Sequence, residues 1–243
     1  MAGVRVEARR LLPENPMDAP MSPAPVPPLG LADGIGIAVL GDVVIVLDIH
    51  RNRYSLIRGD AASVLAAAAA GNPVNPDSPD ARALRFHHWL APAGTPPGPW
   101  FNPGELPKAE ASVLEGGDPP GWPRAIDFRI AAICLKTRLD LRFRPLSRIL
   151  RGLSMNWRGR SMADLVAAAR QFDRGRRHTP FTPRCLPDAL AFLRFARARG
   201  HAAHLVFGVK LHPFEAHCWA QSGGLVLTDP LDRIRRFVPV LAV

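Results

Sequence analysis

Between residues 185 and 229 the apolar pattern changes its period from helical to strand-like, and this change limits the fold more than any other feature of the chain. Leu186, Leu190, Leu193 and Ala196 fall on one face at helical spacing. Pro187 and Asp188 suit a first helical turn, where a missing N–H costs little and a carboxylate meets the positive end of the helix dipole. Gly200 reads as the C-cap. The segment His204–Lys210 and the region around Trp219 are then rich in β formers, and the short stretch 211–214 joins them as adjacent antiparallel strands. Gln221-Ser-Gly-Gly224 turns the chain into a third strand, Leu225–Thr228, which Asp229-Pro230 ends. The expected product is a helix packed on an antiparallel sheet.

This stretch carries a thiol, an imidazole and a carboxylate. Cys185 opens the helix, where unpaired backbone N–H groups favour a thiolate and can hold a developing oxyanion. Strand alternation puts Glu215, His217 and Trp219 on one face and Ala216, Cys218 and Ala220 on the other. On that pattern His217 points away from Cys218 and is free to meet a helix packed on its own face. Asp229, across the hairpin, lies near the start of the strand that carries His217. Singly, each has an ordinary structural role: a small apolar residue at a helix start, a core histidine, an Asp-Pro turn. Together, Cys185, His217 and Asp229 are a nucleophile, its base and the group that orients the base.

The order Cys, His, Asp on a helix and successive strands is the layout of papain-like and transglutaminase-like enzymes. Residues 185–229 resemble the transglutaminase-like leader peptidases of lasso-peptide biosynthesis, the B proteins. The resemblance rests on Cys185-Leu-Pro before a long helix ending in Arg-Gly, His204-Leu-Val-Phe-Gly-Val, His217-Cys-Trp and Leu227-Thr-Asp229. The steps of 32 residues from Cys to His and 12 from His to Asp agree with it. It implies a cysteine endopeptidase that removes the leader from a ribosomally made precursor peptide and hands the core to an asparagine-synthetase-like cyclase. Cys185 would attack the scissile carbonyl, His217 move the proton and Asp229 orient His217. Transglutaminase-type acyl transfer with the same triad, and a non-catalytic peptide- or DNA-binding adaptor, stay open.

Upstream, residues 1–30 hold seven prolines between Pro13 and Pro28 and little apolar content, so they read as a disordered tail. From residue 31 three short strands are expected: Gly36–Leu40, Val43–Asp48 and Tyr54–Ile57. Three helices follow: Ala61–Ala70, stopped by Gly71-Asn-Pro73, Ala81–Leu90, and Lys108–Leu114. This pattern is similar to the precursor-recognition elements of the PqqD-like type, which implies a winged-helix-like shape and capture of the leader as an added strand. The candidate receiving residues are Val43, Ile45, Leu47, Tyr54 and Leu56. The expected organisation is α+β, with a recognition domain over 31–118 and a peptidase domain over 119–243.

Between them lies a basic helical region. Ile126, Ile130, Ile133 and Thr137 share a face with Cys134 beside them, and a second helix is expected near Ser161–Phe172. Arg138, Arg142, Arg144, Arg148, Arg151, Arg158, Arg160, Arg174, Arg176 and Arg177 crowd this half, and Arg174-Gly-Arg-Arg-His178 is placed to border a cleft at Cys185. The net charge of +10 raises nucleic-acid binding, but the arginines lie apart from the winged-helix-like part, so no nucleic-acid partner is expected. Three cysteines without a pairing pattern fit a reducing cytoplasm. Cys-x-x-Cys, His-Glu-x-x-His and Gly-rich phosphate loops are all missing from the sequence, so neither a metal nor another cofactor is expected. No uninterrupted apolar run is long enough to span a membrane.

Overall fold

The computed structural model describes residues 28–93, 98–115, 125–153 and 161–243, and of 125 and 126 only the backbone. The tail expected to be disordered falls outside them up to residue 27, as do Arg158 and Arg160. The fold is α+β. After β1 (Leu29–Leu31), an antiparallel meander is formed by β2 (Ile35–Leu40), β3 (Val43–Asp48) and β4 (Arg53–Arg58). β3 is the middle strand and is buried at every position. Its two faces enter different cores. Val43, Ile45 and Leu47 join the main core, while Val44 and Val46 pack under α1 (Asp60–Ala69) and α2 (Pro79–Phe86). Burial on both faces is why β3 reads as a continuous apolar run rather than an alternating one.

α2 starts where Ser78 accepts the Ala81 N–H at 3.2 Å, with Pro79 in the first turn. It ends at Phe86, four residues short of the expected limit, because Leu90 pairs with Leu31 in β5 (Leu90–Pro92). The third helix expected over Lys108–Leu114 is absent. Ala111 and Ser112 form β6 (Ala111–Ser112), parallel to Leu225 and Val226. Five of these seven residues are good helix formers, but the Gly224 and Val226 carbonyls take the N–H groups of Glu110 and Val113, and tertiary pairing overrides propensity. The meander is thus followed by two helices, not three.

The second half runs through α3 (Ala125–Phe143), α4 (Leu146–Arg151), α5 (Met162–Arg177) and α6 (Cys185–Arg197), then β7 (His204–Lys210), β8 (Glu215–Ser222), β9 (Leu225–Val226), α7 (Leu231–Ile234) and β10 (Val238–Ala242). The sheet order is β10-β7-β8-β9-β6. Pro239 is tolerated because β10 is an edge strand. On α3, Ile130, Cys134 and Thr137 are buried. Gly175 of α5 admits no side chain, since a Cβ there would lie 2.5 Å from Ile130 of α3. α6 lies on one face of the sheet, with Leu190, Phe192, Leu193 and Phe195 packed in the same core as Leu205, Phe207, Cys218 and Ala220. Val206, Trp219, Ile234 and Phe237 fill the opposite face. Trp219 fits there because Gly208, paired with His217 on the neighbouring strand, carries no Cβ, which would lie 2.8 Å from the indole ring. Phe101 bridges to Ala242, so residues 101–113, expected to belong to the first domain, run along this second sheet.

Candidate active site

The N-terminus of α6 is fixed by one carboxylate. Asp188 accepts the Arg184 N–H at 3.0 Å, while its own N–H bonds the Arg184 carbonyl at 3.1 Å. The same carboxylate receives Arg138 of α3 at 3.0 Å and Arg176 of α5 at 2.9 Å. Both guanidiniums also hold the loop before the helix: Arg138 donates to the Thr182 carbonyl and Arg176 to the Phe181 carbonyl, each at 3.0 Å. Arg138 and Arg176 thus act inside the protein, whereas Arg151, Arg144 and Arg177 pair with Asp33, Asp140 and Asp173 at the surface.

Cys185 is the first residue of α6 and is half-buried. Its N–H and that of Leu186 precede the first intrahelical bond, so the positive end of the helix faces the thiol. The thiol lines a cleft of about 290 Å³ with His217, Thr228, Asp229, Arg176 and Arg233. His217 Nε2 and Asp229 Oδ1 are 2.8 Å apart, both groups buried. Thr228 donates its hydroxyl to the other Asp229 oxygen at 3.0 Å and accepts the Ala220 N–H of β8 at 2.9 Å. Asp229 also takes a bond on its backbone: the Ser112 hydroxyl donates to its carbonyl at 2.7 Å. Arg233 lies 3.7 Å from the carboxylate, at the exposed edge.

The charges of the pair are shifted in the sense that nucleophilic chemistry needs. Contact with the Cys218 thiol, joined by the His217 imidazole and the Cys218 backbone N–H, outweighs burial and lowers the Cys185 thiol to about 4. Burial pushes the His217 imidazole down, but the Asp229 carboxylate and the Cys185 thiolate outweigh it and raise it to about 9. Both shifts favour the thiolate–imidazolium form of the pair. With Nε2 committed to Asp229, Nδ1 is the nitrogen left to exchange a proton with Cys185.

One expectation about this strand is overturned. His217 does face away from Cys218, stacked on Trp219 and tilted against Phe237. The helix, however, packs on the Cys218 face, and Cys218 does touch Cys185. Cys185 and His217 meet at the rim of the sheet, where β9 stops at Val226 and leaves the β8 edge open to the cleft. The N–H of Ala220 points to that side, toward Thr228, and the N–H of Cys218, two residues away, points the same way.

Of the five residues expected to receive a peptide strand, Val43, Ile45 and Leu47 lie on the middle strand, 1–2% exposed, and have no free edge to offer. Tyr54 and Leu56 lie on β4, whose far side no strand pairs among the described residues. Leu56 is 47% exposed, and Tyr54 packs edge-on against Phe214. Burial pushes the Tyr54 phenol up, and the nearby charges of Cys218 and Cys185 add to the effect, so this edge strand comes close to the thiols. Ser112 carried no signal in the sequence, since it is 117 positions from its partner, and Thr228 was seen only as part of Leu227-Thr-Asp229. Among the described residues no group of three or more His, Cys, Asp or Glu side chains could hold a metal ion. Nor is any helix there long and apolar enough to cross a membrane.

Residues 131–242 match the family model described as the transglutaminase-like superfamily. A segment of 49 residues is 41% identical to the Microcin J25-processing protein McjB of Escherichia coli, covering 20% of this chain and 24% of that protein. The chain thus matches about a quarter of the length of this curated relative. No solved structure matches the chain.

Proposed function

We propose that the chain is a cysteine endopeptidase that removes the leader from a lasso-peptide precursor. The observation that carries this reading is the convergence of Cys185, His217 and Asp229 on one cleft, with the imidazole held by the carboxylate at 2.8 Å. The similarity to a microcin-processing protein supplies the substrate class. In the proposed cycle the Cys185 thiolate adds to the scissile carbonyl, and the His217 imidazolium protonates the leaving amine of the core peptide. Neutral His217 then takes a proton from water, which hydrolyses the thioester and frees the leader carboxylate. Asp229 holds the ring through both proton transfers. The oxyanion would rest on the N–H groups at the start of α6, Cys185 first.

The precursor would dock through its leader on the free edge of β4, at Tyr54 and Leu56, where backbone hydrogen bonds provide affinity and side-chain pockets provide specificity. From there the peptide would run toward Cys185, as the influence of the two thiols on Tyr54 suggests. The residues before about 100 would act as the recognition part and the rest, β6 included, as the peptidase. The freed core would pass to an asparagine-synthetase-like cyclase, and the free thiols suit a reducing cytoplasm. The test is mass spectrometry of a precursor peptide incubated with the protein and with Cys185→Ala. Cleavage at one leader–core bond by the parent alone supports the reading. An intact precursor, with the cyclase and ATP also supplied, removes it.

The same triad would also serve acyl transfer to an amine, a reading the matched superfamily favours. Product mass separates the two, because hydrolysis splits the peptide and transfer leaves an isopeptide adduct.

A further inference from the structure

We infer that Ser112 is a positioning residue for Asp229, supplied by a strand outside the transglutaminase-like region. The inference rests on Cys185, His217 and Asp229 acting as a triad. Ser112 belongs to β6, ahead of the matched residues 131–242. Its hydroxyl is fixed from both sides: it accepts the Leu114 N–H at 3.0 Å and donates to the Asp229 carbonyl at 2.7 Å. The residue is 8% exposed, so water does not readily replace either bond.

Asp229 has little else to hold its backbone. β9 ends at Val226, so the ladder with β8 does not reach it. The next residue is Pro230, which has no N–H and begins the turn into α7. The carboxylate is held by Thr228 on one oxygen and meets His217 on the other, and Thr228 ties that side chain to β8 by accepting the Ala220 N–H at 2.9 Å. Ser112 is the anchor on the Asp229 backbone, as Thr228 is on its carboxylate. It ties the Asp229 backbone to β6, which bonds in turn to Val226 and Gly224. If the hydroxyl is lost, Asp229 can shift, the 2.8 Å bond to His217 lengthens, and burial pulls the imidazolium down against weaker opposition. A buried acceptor left without its donor corresponds to about a tenfold change in an equilibrium.

The test uses the full chain and variants Ser112→Ala and Ser112→Cys. NMR titration of the His217 ring is read beside the pH profile of Cys185 alkylation by iodoacetamide, neither of which needs a substrate. In Ser112→Ala the His217 titration falls by about one pH unit, a tenfold effect. With a cleavable precursor, kcat falls about tenfold while KM stays within about twofold. A His217 titration and alkylation profile equal to the parent's overturn the inference. If Ser112→Ala does not fold, the near-isosteric Ser112→Cys decides, because its S–H is a weak donor: a lowered titration supports the role and an unchanged one removes it. A parent that cleaves nothing but responds to Ser112→Ala refutes the peptidase reading alone. A parent that cleaves and ignores Ser112→Ala refutes this inference alone.

Discussion

Asp229→Asn separates a working ion pair from a fortuitous contact. The carboxylate is the main group that raises His217 against its burial, and His217 is only 3% exposed, so the effect is not damped by solvent. Raising the imidazole from 6.5 to about 9 corresponds to roughly 3 kcal/mol in favour of the imidazolium. At pH 7.5 a group titrating at about 9 is about 97% protonated, whereas one at 6.5 is about 9% protonated. Without the charge only the Cys185 thiolate opposes burial, so the titration moves down from about 9 toward 6.5 and the ion-paired fraction falls by up to about tenfold at this pH. The assay is the rate of Cys185 alkylation from pH 3 to 10, read by mass spectrometry of the peptide that carries it. Cys134 and Cys218 are buried and serve as slow internal references. In the parent the rate should rise through about 4, as the thiolate forms, and change again through about 9, as the imidazolium loses its proton. In Asp229→Asn the upper transition should move down from about 9 toward 6.5. A parent whose Cys185 titrates near an ordinary 8.5, or an upper limb that Asp229→Asn leaves in place, would refute the reasoning.

Asp188→Asn should detach the start of α6, because it leaves the Arg138 and Arg176 guanidiniums with a neutral partner. The expected loss is about 2–3 kcal/mol, seen as a fall of roughly 5–10 °C in melting temperature, and an unchanged melt would contradict it. Phe192→Ala should cost about 3–5 kcal/mol by denaturant titration, since the ring is fully buried against Phe172 at 5.5 Å. Leu56→Glu should weaken binding of a labelled leader peptide about tenfold by fluorescence anisotropy, for the loss of roughly 1–1.5 kcal/mol of apolar contact. Equal affinity would move leader docking away from β4.

The parts of this fold that can be read from sequence are those fixed by neighbours along the chain. α6 begins at Cys185 because Pro187 and Asp188 build its first turn, and β7 covers His204–Lys210, the β-rich run itself. Ser161 caps α5 by accepting the Asp164 N–H at 3.3 Å, a local signal. What depends on distant pairing could not be read. Residues 108–114 suit a helix until β9 offers them an edge, and Leu90 extends a helix until Leu31 claims it. Alternation along β8 correctly separated His217 from Cys218, but which face meets α6 is set by packing across the sheet. The candidate nucleophile and carboxylate were legible because Cys185 and Asp229 lie at element boundaries, and the base because strand alternation fixes the face of His217. Ser112 was not, because a serine on a two-residue strand has no pattern of its own.

The most direct test of the central claim is a leader peptide whose C-terminal carboxylate is replaced by a vinyl sulfone, incubated with the full chain and digested for mass spectrometry. The account predicts one thioether, on Cys185, formed at a rate that collapses in His217→Ala and is competed by unmodified leader. An adduct on another residue, or none while iodoacetamide still labels Cys185, would contradict it.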